Sequence, residues 1–438
     1  MIYVLVTFKI KQLNKNLFFL FFLFSLGAFS QKDSTVYKKR VLEAAEIDLL
    51  FSYYGQDGQN AAVTGGEGTE ELTDATSSIV VQLPLNEDDV LTIDAGISAY
   101  TSASSSNVNP FDGDVNRIAS PFSASSGASR QDVLAHFNPT YQHSSDDRNS
   151  IYNANAYIAS EYDYFSLGFG AGYSRLFNEK NTELSIGGKV YFDKWNPQYP
   201  IELRNGFFDN RITGVGNYSP QFSEFETENR NSYSVSLGLS QILGKKIQGS
   251  VFMDVVIQNG LLSTPFQRIY FGDTSDFFVQ DFQLADDVER LPDSRFKIPL
   301  GARLNYFISD AIVLRSYYRF YSDDWGISSN TASLEIPIKL SDSFTLYPTY
   351  RFYNQTASDY FYKKEVAIST LNFYTSDFDL SKYHSHQYGL GIRYRDIFTK
   401  AKLLKLGLKA IDLRVANYDR SNGLNAIIVS LGTTFVVE

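Results

Sequence analysis

Hydrophobic and polar residues alternate along most of the chain after Ala44. Residues 165–176 (FSLGFGAGYSRL) show the pattern, because large apolar residues alternate there with serine and glycine. A period of two over ten or more residues predicts long strands with one apolar and one polar face. The sequence predicts sixteen such strands, near 44–54, 72–84, 90–104, 131–143, 150–161, 164–176, 182–194, 231–242, 246–259, 294–308, 311–322, 326–339, 343–355, 383–396, 403–416 and 424–437.

The connections between these strands alternate in length. Tight turns such as NEDD (86–89) follow even-numbered strands. Several odd-numbered strands are followed by long loops, at 55–71, 105–128, 195–228, 261–293 and 356–382. This asymmetry is typical of outer-membrane barrels. The sequence therefore predicts an all-β fold, a closed antiparallel transmembrane β-barrel of about 16 strands over 44–438, with 14 or 18 strands as the nearest alternatives. Its short turns and both termini would be periplasmic and its long loops extracellular.

A soluble β-sandwich or solenoid is the main structural alternative. Charges on the apolar face are confined to strand ends, as at Arg175 and Lys194. A Lys or Arg facing lipid at mid-bilayer costs about 2–4 kcal/mol, which explains their absence. A sandwich would require neither strands this long nor loops at one end only. Backbone groups in hydrocarbon must also be paired, so the sheet must close on itself.

The N-terminus predicts export. Three lysines precede an apolar run from Leu17 to Leu26, which is too short for a stable membrane anchor. Small residues follow, so we predict a signal peptide over 1–30 and a periplasmic segment over 31–43, with a retained anchor helix as the alternative. The mature chain would lie in the outer membrane of a Gram-negative bacterium, in contact with lipid, after insertion by the barrel-assembly machinery.

One predicted strand is irregular. Leu404, Leu406 and Leu408 share one face, but Ile411 and Leu413 share the other. An extra residue near Ala410 would restore the pattern, so the sequence predicts a β-bulge there.

The polar faces of the strands separate by charge. An acidic wall falls in the first nine strands and comprises Glu46, Asp48, Asp74, Asp94, Glu161, Glu183, Asp193 and Asp254, with Lys189 as an exception. A basic wall falls in strands ten to fifteen and comprises Arg295, Lys297, Arg303, Arg315, Arg319, Arg351, Arg393 and Arg395, continued by Lys405 and Lys409, with Glu335 as an exception. Opposed across a water-filled lumen, the two walls would create a transverse field.

Two functions fit this lumen. The first is a porin-like channel for small polar solutes. The second is a plugged barrel that serves as a scaffold or receptor for an envelope protein, because long loops can fold into a lumen and the opposed charges can pair directly.

The remaining chemistry is sparse. There is no cysteine, and the long loops are acidic in a chain of net charge −10, which argues against nucleic-acid binding. No cofactor is predicted, although acidic loops suit calcium, with Asp286, Asp287, Glu289 and Asp293 as the weak candidates for its ligands. The alternative is that these charges only keep the loops soluble.

The four histidines do not define an enzyme. His384 and His386 share one face and form a weak metal-site candidate, while His143 adjoins a predicted turn in which Asp146 and Asp147 take part. No Ser–His–acid set can be singled out from sequence, so we predict no enzymatic activity. A barrel-embedded hydrolase that uses His136 or His143 is the third hypothesis.

Several segments carry a family resemblance: FSYYGQDGQNAAVTGGEGTEELT (51–73), DAGISAYTSASSSNVNPFD (94–112), QHSSDDRN (142–149), RLFNEKNTEL (175–184), WNPQYP (195–200) and QNGLLSTPFQR (258–268). The chain resembles a domain-of-unknown-function family of outer-membrane proteins that is common in Bacteroidota. The resemblance implies a barrel in the outer membrane and brings no catalytic residues. It also implies a neighbourhood of thioredoxin-like and flavin-attaching envelope proteins, which suggests a partner connected with redox chemistry or metal supply.

Overall fold

The computed structural model describes residues 39–101, 131–204, 206–220, 222 and 226–437. The predicted signal peptide (1–30), most of the segment 31–43 and the loop 105–128 lie outside these residues. No helix in the described ranges is long and apolar enough to cross a membrane.

Sixteen antiparallel strands form one closed barrel, as predicted. Each strand pairs with the next, and β1 also pairs with β16, so the barrel has no free edge. The strands are β1 Glu46–Asp57, β2 Leu72–Pro84, β3 Asp89–Thr101, β4 Gln131–Ser144, β5 Ser150–Ser160, β6 Tyr164–Phe177, β7 Thr182–Trp195, β8 Glu228–Gly244, β9 Ile247–Gly260, β10 Ser294–Ser309, β11 Ile312–Asp323, β12 Ser328–Glu335, β13 Phe344–Gln355, β14 Tyr383–Arg395, β15 Leu406–Arg420 and β16 Asn425–Val437. Short strands at Ile338–Lys339 and Lys402–Leu403 extend the sheet at the edges of two turns.

The outward face of the barrel is an apolar belt. Phe169, Ile186 and Val235 are each about half exposed, at 48%, 51% and 50%. Large apolar side chains left exposed on every part of a closed barrel require a hydrocarbon environment. The period-two alternation in the sequence therefore separates a lipid face from a lumen face.

The two ends of the barrel differ, as the connections predicted. At the turn end, Glu46 of β1 lies opposite Val436 of β16, so both ends of the barrel sheet lie there beside the short turns. The loop end carries loop 1 (58–71), loop 4 (196–227), loop 5 (261–293) and loop 7 (356–382). Three short 3₁₀ helices in these loops, at Ala62–Thr64, Ile201–Leu203 and Phe378–Leu380, are the helical segments of the described chain.

The predicted bulge lies in β15. Leu408 pairs with Phe435 and Ala410 with Thr434, so Lys409 is the extra residue. The strand begins at Leu406 instead of near residue 403, which places Lys405 in the preceding turn and not on the lumen wall. Beyond the bulge, even-numbered residues face the lumen, because one extra residue exchanges the two faces of a strand.

Candidate functional site: the charged lumen and its loop cap

Four arginines line a cavity of about 660 Å³ inside the barrel. Arg303, Arg315 and Arg351 belong to the predicted basic wall, whereas Arg414 does not. The cavity lining continues to Ser430 on β16 and includes one carboxylate, that of Glu335. We call this space the arginine cavity.

Glu335 connects two of these arginines across the lumen. Its Oε1 lies 2.8 Å from Arg315 Nη1, and its Oε2 lies 3.0 Å from Arg414 Nη1. Arg414 is on β15 and Glu335 on β12, with β13 and β14 between them. A side chain can pass over two strands in this way only on the concave inner face, so the contact shows that both residues point into the lumen.

Gly391 on β14 leaves room for the Arg414 side chain. A Cβ at Gly391 would lie 3.0 Å from Arg414 Cγ. The Arg414 guanidinium also lies 5.1 Å from the centre of the Tyr347 ring. Gly391 and the Tyr347 ring therefore both lie beside the Arg414 side chain.

Asp412 adds a second carboxylate to this part of the wall. Its Oδ1 accepts from Arg414 Nε at 2.8 Å, and its Oδ2 accepts from Arg393 Nε at 3.0 Å. Three arginines therefore share two carboxylates here, which leaves one positive charge in excess.

Arg303 and Arg351 have no carboxylate partner within the chain that the structure describes. Arg303 lies between two rings, 5.6 Å from the centre of Phe252 and 5.7 Å from that of Tyr317. Arg351 lines the arginine cavity and a second cavity above it. The positive charges of these two arginines face the lumen without neutralisation by an ion pair.

The rest of the basic wall is mixed. Arg295 pairs with Asp323 at 2.5 Å and lies over Trp325, while Arg319 lies over Tyr321. For Lys297 and Arg395 the described chain offers no ion pair.

Hydroxyl groups donate hydrogen bonds to several carboxylates of the acidic wall. Asp48 accepts from Thr434 at 2.5 Å, Asp74 from Ser98 at 2.8 Å and Asp193 from Tyr164 at 2.6 Å. Within the described residues, Glu46 alone of this wall pairs with a lysine or arginine, Lys409, at 2.5 Å. Glu183 lies on β7 and Asp254 on β9, and neither has an ion-pair partner in the described chain.

The two predicted walls are therefore separate surfaces. Arginines of the basic wall that form ion pairs find their carboxylates on their own side of the lumen, at Asp323, Glu335 and Asp412. Direct neutralisation of one wall by the other, the alternative raised by the sequence, is limited among the described residues to Glu46 and Lys409.

Glu161 and Asp94 of the acidic wall have other partners. Glu161 accepts from the Tyr100 hydroxyl, and its carboxylate lies within 4.8 Å of those of Asp132 and Asp163. Burial raises the pKa of Glu161 to about 7, with a further contribution from Asp132. Asp94 lies 3.3 Å from His136 Nε2.

A folded cap crosses the loop end of the barrel. Loops 1, 4 and 5 contribute side chains to one buried apolar cluster that includes Val63, Leu203 and Phe266. Loop 1 joins β1 to β2, and loop 5 joins β9 to β10. Because these hairpins are eight strands apart in a ring of sixteen, they lie on opposite sides of the mouth. Their contact means that the cap extends across it.

A buried ion pair is at the centre of the cap. The side chains of Arg268 in loop 5 and Glu202 in loop 4 are both fully buried, and Arg268 Nε lies 3.1 Å from Glu202 Oε1. Arg268 Nη1 also donates to the carbonyl of Val63 in loop 1. One guanidinium therefore connects three loops.

Loop 7 completes the cap. Arg290 and Tyr374 exchange backbone hydrogen bonds of 3.0 and 2.8 Å, which join loop 5 to loop 7. The buried carboxyl of Glu289 accepts from the Thr264 backbone N–H at 2.6 Å and bonds the Thr375 hydroxyl. Burial raises the pKa of Glu289 to about 8, so it is protonated in the intact cap at neutral pH.

A second cavity of about 760 Å³ lies between the cap and the barrel wall. Its lining includes Phe266 of loop 5, Asp379 of loop 7 and Arg420 of β15, and Arg420 Nη1 lies 2.6 Å from Asp379 Oδ1. Arg351 and Gln387 line this sub-cap cavity as well as the arginine cavity. The two spaces therefore adjoin inside the barrel.

The four weak calcium candidates are not gathered into one site. Asp286 accepts from the Phe271 backbone N–H at 2.8 Å, and Asp287 accepts from the Tyr374 hydroxyl at 2.7 Å. Glu289 is bonded within the cap as described above, and the Asp293 carbonyl accepts from Gly260. In this structure these residues order loop 5.

The four histidines lie in three environments. His136 faces the lumen beside Asp94, and His143 Nδ1 lies 2.7 Å from Asp89 at the turn end. His386 Nδ1 contacts the Tyr350 hydroxyl at 2.9 Å on the lipid face, where its ring also packs against His384. Asp147 accepts from Asn149 N–H at 3.0 Å and so builds its turn, as expected.

Sequence reasoning missed Arg414 and Asp412, although the signal was present. The predicted bulge near Ala410 exchanges the faces of β15, and applying that exchange to the rest of the strand places both residues in the lumen. The connection between loops 1 and 5 left no such signal, because irregular loop packing has no sequence period.

The family described as "Protein of unknown function (DUF3570)" matches residues 23–427. The chain belongs to this family. The predicted resemblance to a family of unknown function is thereby confirmed. The search of curated proteins gave no match.

Solved structures with similar folds include outer-membrane proteins. A bacterial polysaccharide outer membrane secretin shares 12% identity over 90% of this chain and 99% of that chain, with a TM-score of 0.42. The siderophore receptor PirA from Acinetobacter baumannii shares 10% identity over 88% and 54%, with a TM-score of 0.42. OccK2 from Pseudomonas aeruginosa, solved in complex with glucuronate, shares 8% identity over 93% and 100%, with a TM-score of 0.39. At these values the comparisons bear on neither solute nor partner.

Proposed function

We propose that the protein is an outer-membrane channel for small polar solutes, with its loop end facing outward and both termini in the periplasm. The observation that carries this proposal is the pair of adjoining cavities inside the barrel, which share Arg351 and Gln387 in their linings. Together they provide space from the underside of the cap down to the middle of the lumen, and charged side chains line both cavities.

The separation of the acidic and basic walls favours a lumen that passes solutes over a lumen that is filled only for stability. A lumen filled for stability would pair its opposite charges, because an unpaired buried charge is costly. Arg303 and Arg351 instead face the cavities without a carboxylate partner among the described residues. Charges kept in contact with water are what a selective pore requires.

Charge reversal on the basic wall tests this function. Arg319 lacks a carboxylate partner in the described chain, so Arg319→Glu changes the field without breaking an ion pair. Arg315→Glu additionally places a carboxylate beside Glu335. We expect both variants to conduct in planar bilayers with a reversal potential displaced toward cation preference. Wild-type selectivity in both variants would contradict the proposed channel.

The cap favours a second function, that of a plugged barrel serving as a scaffold or receptor for an envelope protein. Its support is the buried contact between loops on opposite sides of the mouth. This function predicts stable co-purification with an envelope protein and no steady current. A steady current through the purified barrel would exclude the plug.

An enzymatic role is not proposed. In the described chain, the hydrogen bonds of the His136 and His143 rings go to Asp94 and Asp89 and not to a hydroxyl nucleophile. Hydrolytic activity that is lost in His136→Ala or His143→Ala would reinstate the hydrolase hypothesis.

A further inference from the structure

We propose that the arginine cavity is a binding site for a small organic polyanion with two or more carboxylates. The inference deepens the proposed channel function by naming its solute class, and so it rests on that function.

The charges that face the cavity do not cancel. Its lining carries Arg303, Arg315, Arg351 and Arg414 against the single carboxylate of Glu335. Asp412 lies next to the lining, but it is shared by Arg414 and Arg393. Counting both carboxylates and all five arginines leaves three positive charges, and so the cavity favours an anion.

The positions of the uncompensated arginines favour more than one anionic group on the ligand. Arg303 is on β10 and Arg351 on β13, three strands apart, which corresponds to about 14 Å along the wall. Inward-pointing side chains shorten that separation, but a single small anion would still reach one guanidinium at a time. A guanidinium also presents a planar pair of donors that matches a carboxylate.

The remaining lining suits a carbon skeleton that bears polar groups. The rings of Tyr317 and Tyr347 lie beside the arginines, and Asn305, Thr349 and Gln387 supply neutral hydrogen-bonding groups. A volume of about 660 Å³ lies within the usual range for small-molecule sites. A di- or tricarboxylic acid fits this combination of charge, surface and size.

Calorimetric titration of the full chain in detergent with citrate tests the site. We expect saturable binding to the wild type. We also expect at least tenfold weaker affinity for inorganic phosphate, and no binding of glucose. In the double variant Arg303→Gln/Arg351→Gln, citrate affinity should fall at least tenfold. Arg395→Gln provides the matched control, because Arg395 belongs to the same wall but does not line the cavity, and its affinity should stay within twofold of wild type.

The outcomes of this titration test the polyanion site separately from the proposed channel. No saturable citrate binding, equal affinity for phosphate, or unchanged affinity in the double variant would each overturn the site, even if the barrel conducts. Citrate binding that is lost in the double variant would support the site even if no current is observed. Should the double variant fail to fold, the single variants and the salt dependence of wild-type binding decide, because affinity independent of salt would contradict recognition by arginines.

Discussion

Gly260 shows how a single position constrains the barrel rim. It ends β9 with a φ of +115°, and an added Cβ would lie 1.9 Å from the backbone oxygen of Asn229. Gly244, at the end of β8, has no atom within 4 Å of the same added Cβ. Gly260→Ala should lower the free energy of unfolding by about 1–3 kcal/mol, because both the backbone and the neighbouring strand must shift. Gly244→Ala should change it by less than about 0.5 kcal/mol.

Urea unfolding of the two glycine variants in lipid vesicles measures the difference. Equal stability of Gly260→Ala and Gly244→Ala would contradict the close approach of β9 to β8 at Gly260. The alternation of glycine with apolar residues in β6 can be read from the sequence, but the contact of the Tyr191 ring with Gly168 depends on the register between β6 and β7.

At the scale of the strand, the two faces of β8 can be tested against each other. Val235 is 50% exposed on the lipid face, and Ser236 follows it on the lumen face opposite Asp254 of β9. Val235→Arg should destabilise the folded barrel by about 2–4 kcal/mol in a bilayer, because it places a charge in hydrocarbon. Ser236→Arg should be tolerated, since the arginine reaches water and a carboxylate. The measurement is again unfolding in vesicles, and the reverse order of stabilities would exchange the assigned faces.

At the scale of the loops, burial of Glu289 predicts that the cap weakens as pH rises. Its pKa is about 8 in the folded cap, above the ordinary value of 4.5, so the opened loop releases a proton that the cap retains. The stability of the cap should therefore be greatest below about pH 5 and fall as pH rises toward about 8. Asp377 of loop 7 adds to this trend, because burial and Asp379 raise its pKa to about 7.

Limited proteolysis of the loops in reconstituted vesicles measures this dependence. Cleavage of the wild type should be faster at about pH 8.5 than at about pH 6, after correction for the protease's own pH profile. Glu289→Gln should reduce the difference, because the amide cannot ionise. Asp281→Asn, an exposed change in the same loop, should leave the difference as in wild type. A pH difference unchanged in Glu289→Gln would contradict the assignment.

At the scale of the whole molecule, much of the architecture could be predicted from sequence. Strand number, the closed barrel and the two unequal ends follow from alternation and turn spacing, which are local properties. The cap could not be predicted in this way. Arg268 meets Glu202 and Val63 through contacts between loops distant in sequence, and no period marks their partners. The alternation of faces placed Arg303, Arg315 and Arg351 on the polar side of their strands. It could not give the height of each residue in the lumen, and so it could not predict the arginine cavity.

The buried ion pair between Arg268 and Glu202 predicts that the stability of the cap controls conductance through the lumen. Arg268→Met leaves the Glu202 carboxylate buried without its cation, which typically costs about 3–5 kcal/mol. We expect the cap to open and single-channel conductance to increase. The double variant Arg268→Met/Glu202→Leu removes both the guanidinium and the carboxylate, so no buried charge is left without a partner. Conductance should therefore return toward the wild-type value. Identical conductance in the single variant and the wild type would show that the cap does not limit access to the lumen.

The most direct test of the proposed channel is single-channel recording of the purified wild-type barrel in a planar bilayer with a salt gradient across it. The unneutralised arginines predict a steady open current and a reversal potential that indicates anion preference. Absence of current under these conditions would contradict the channel and favour the plugged scaffold. A steady current with cation preference would show that the acidic wall, and not the arginine cavity, controls the lumen.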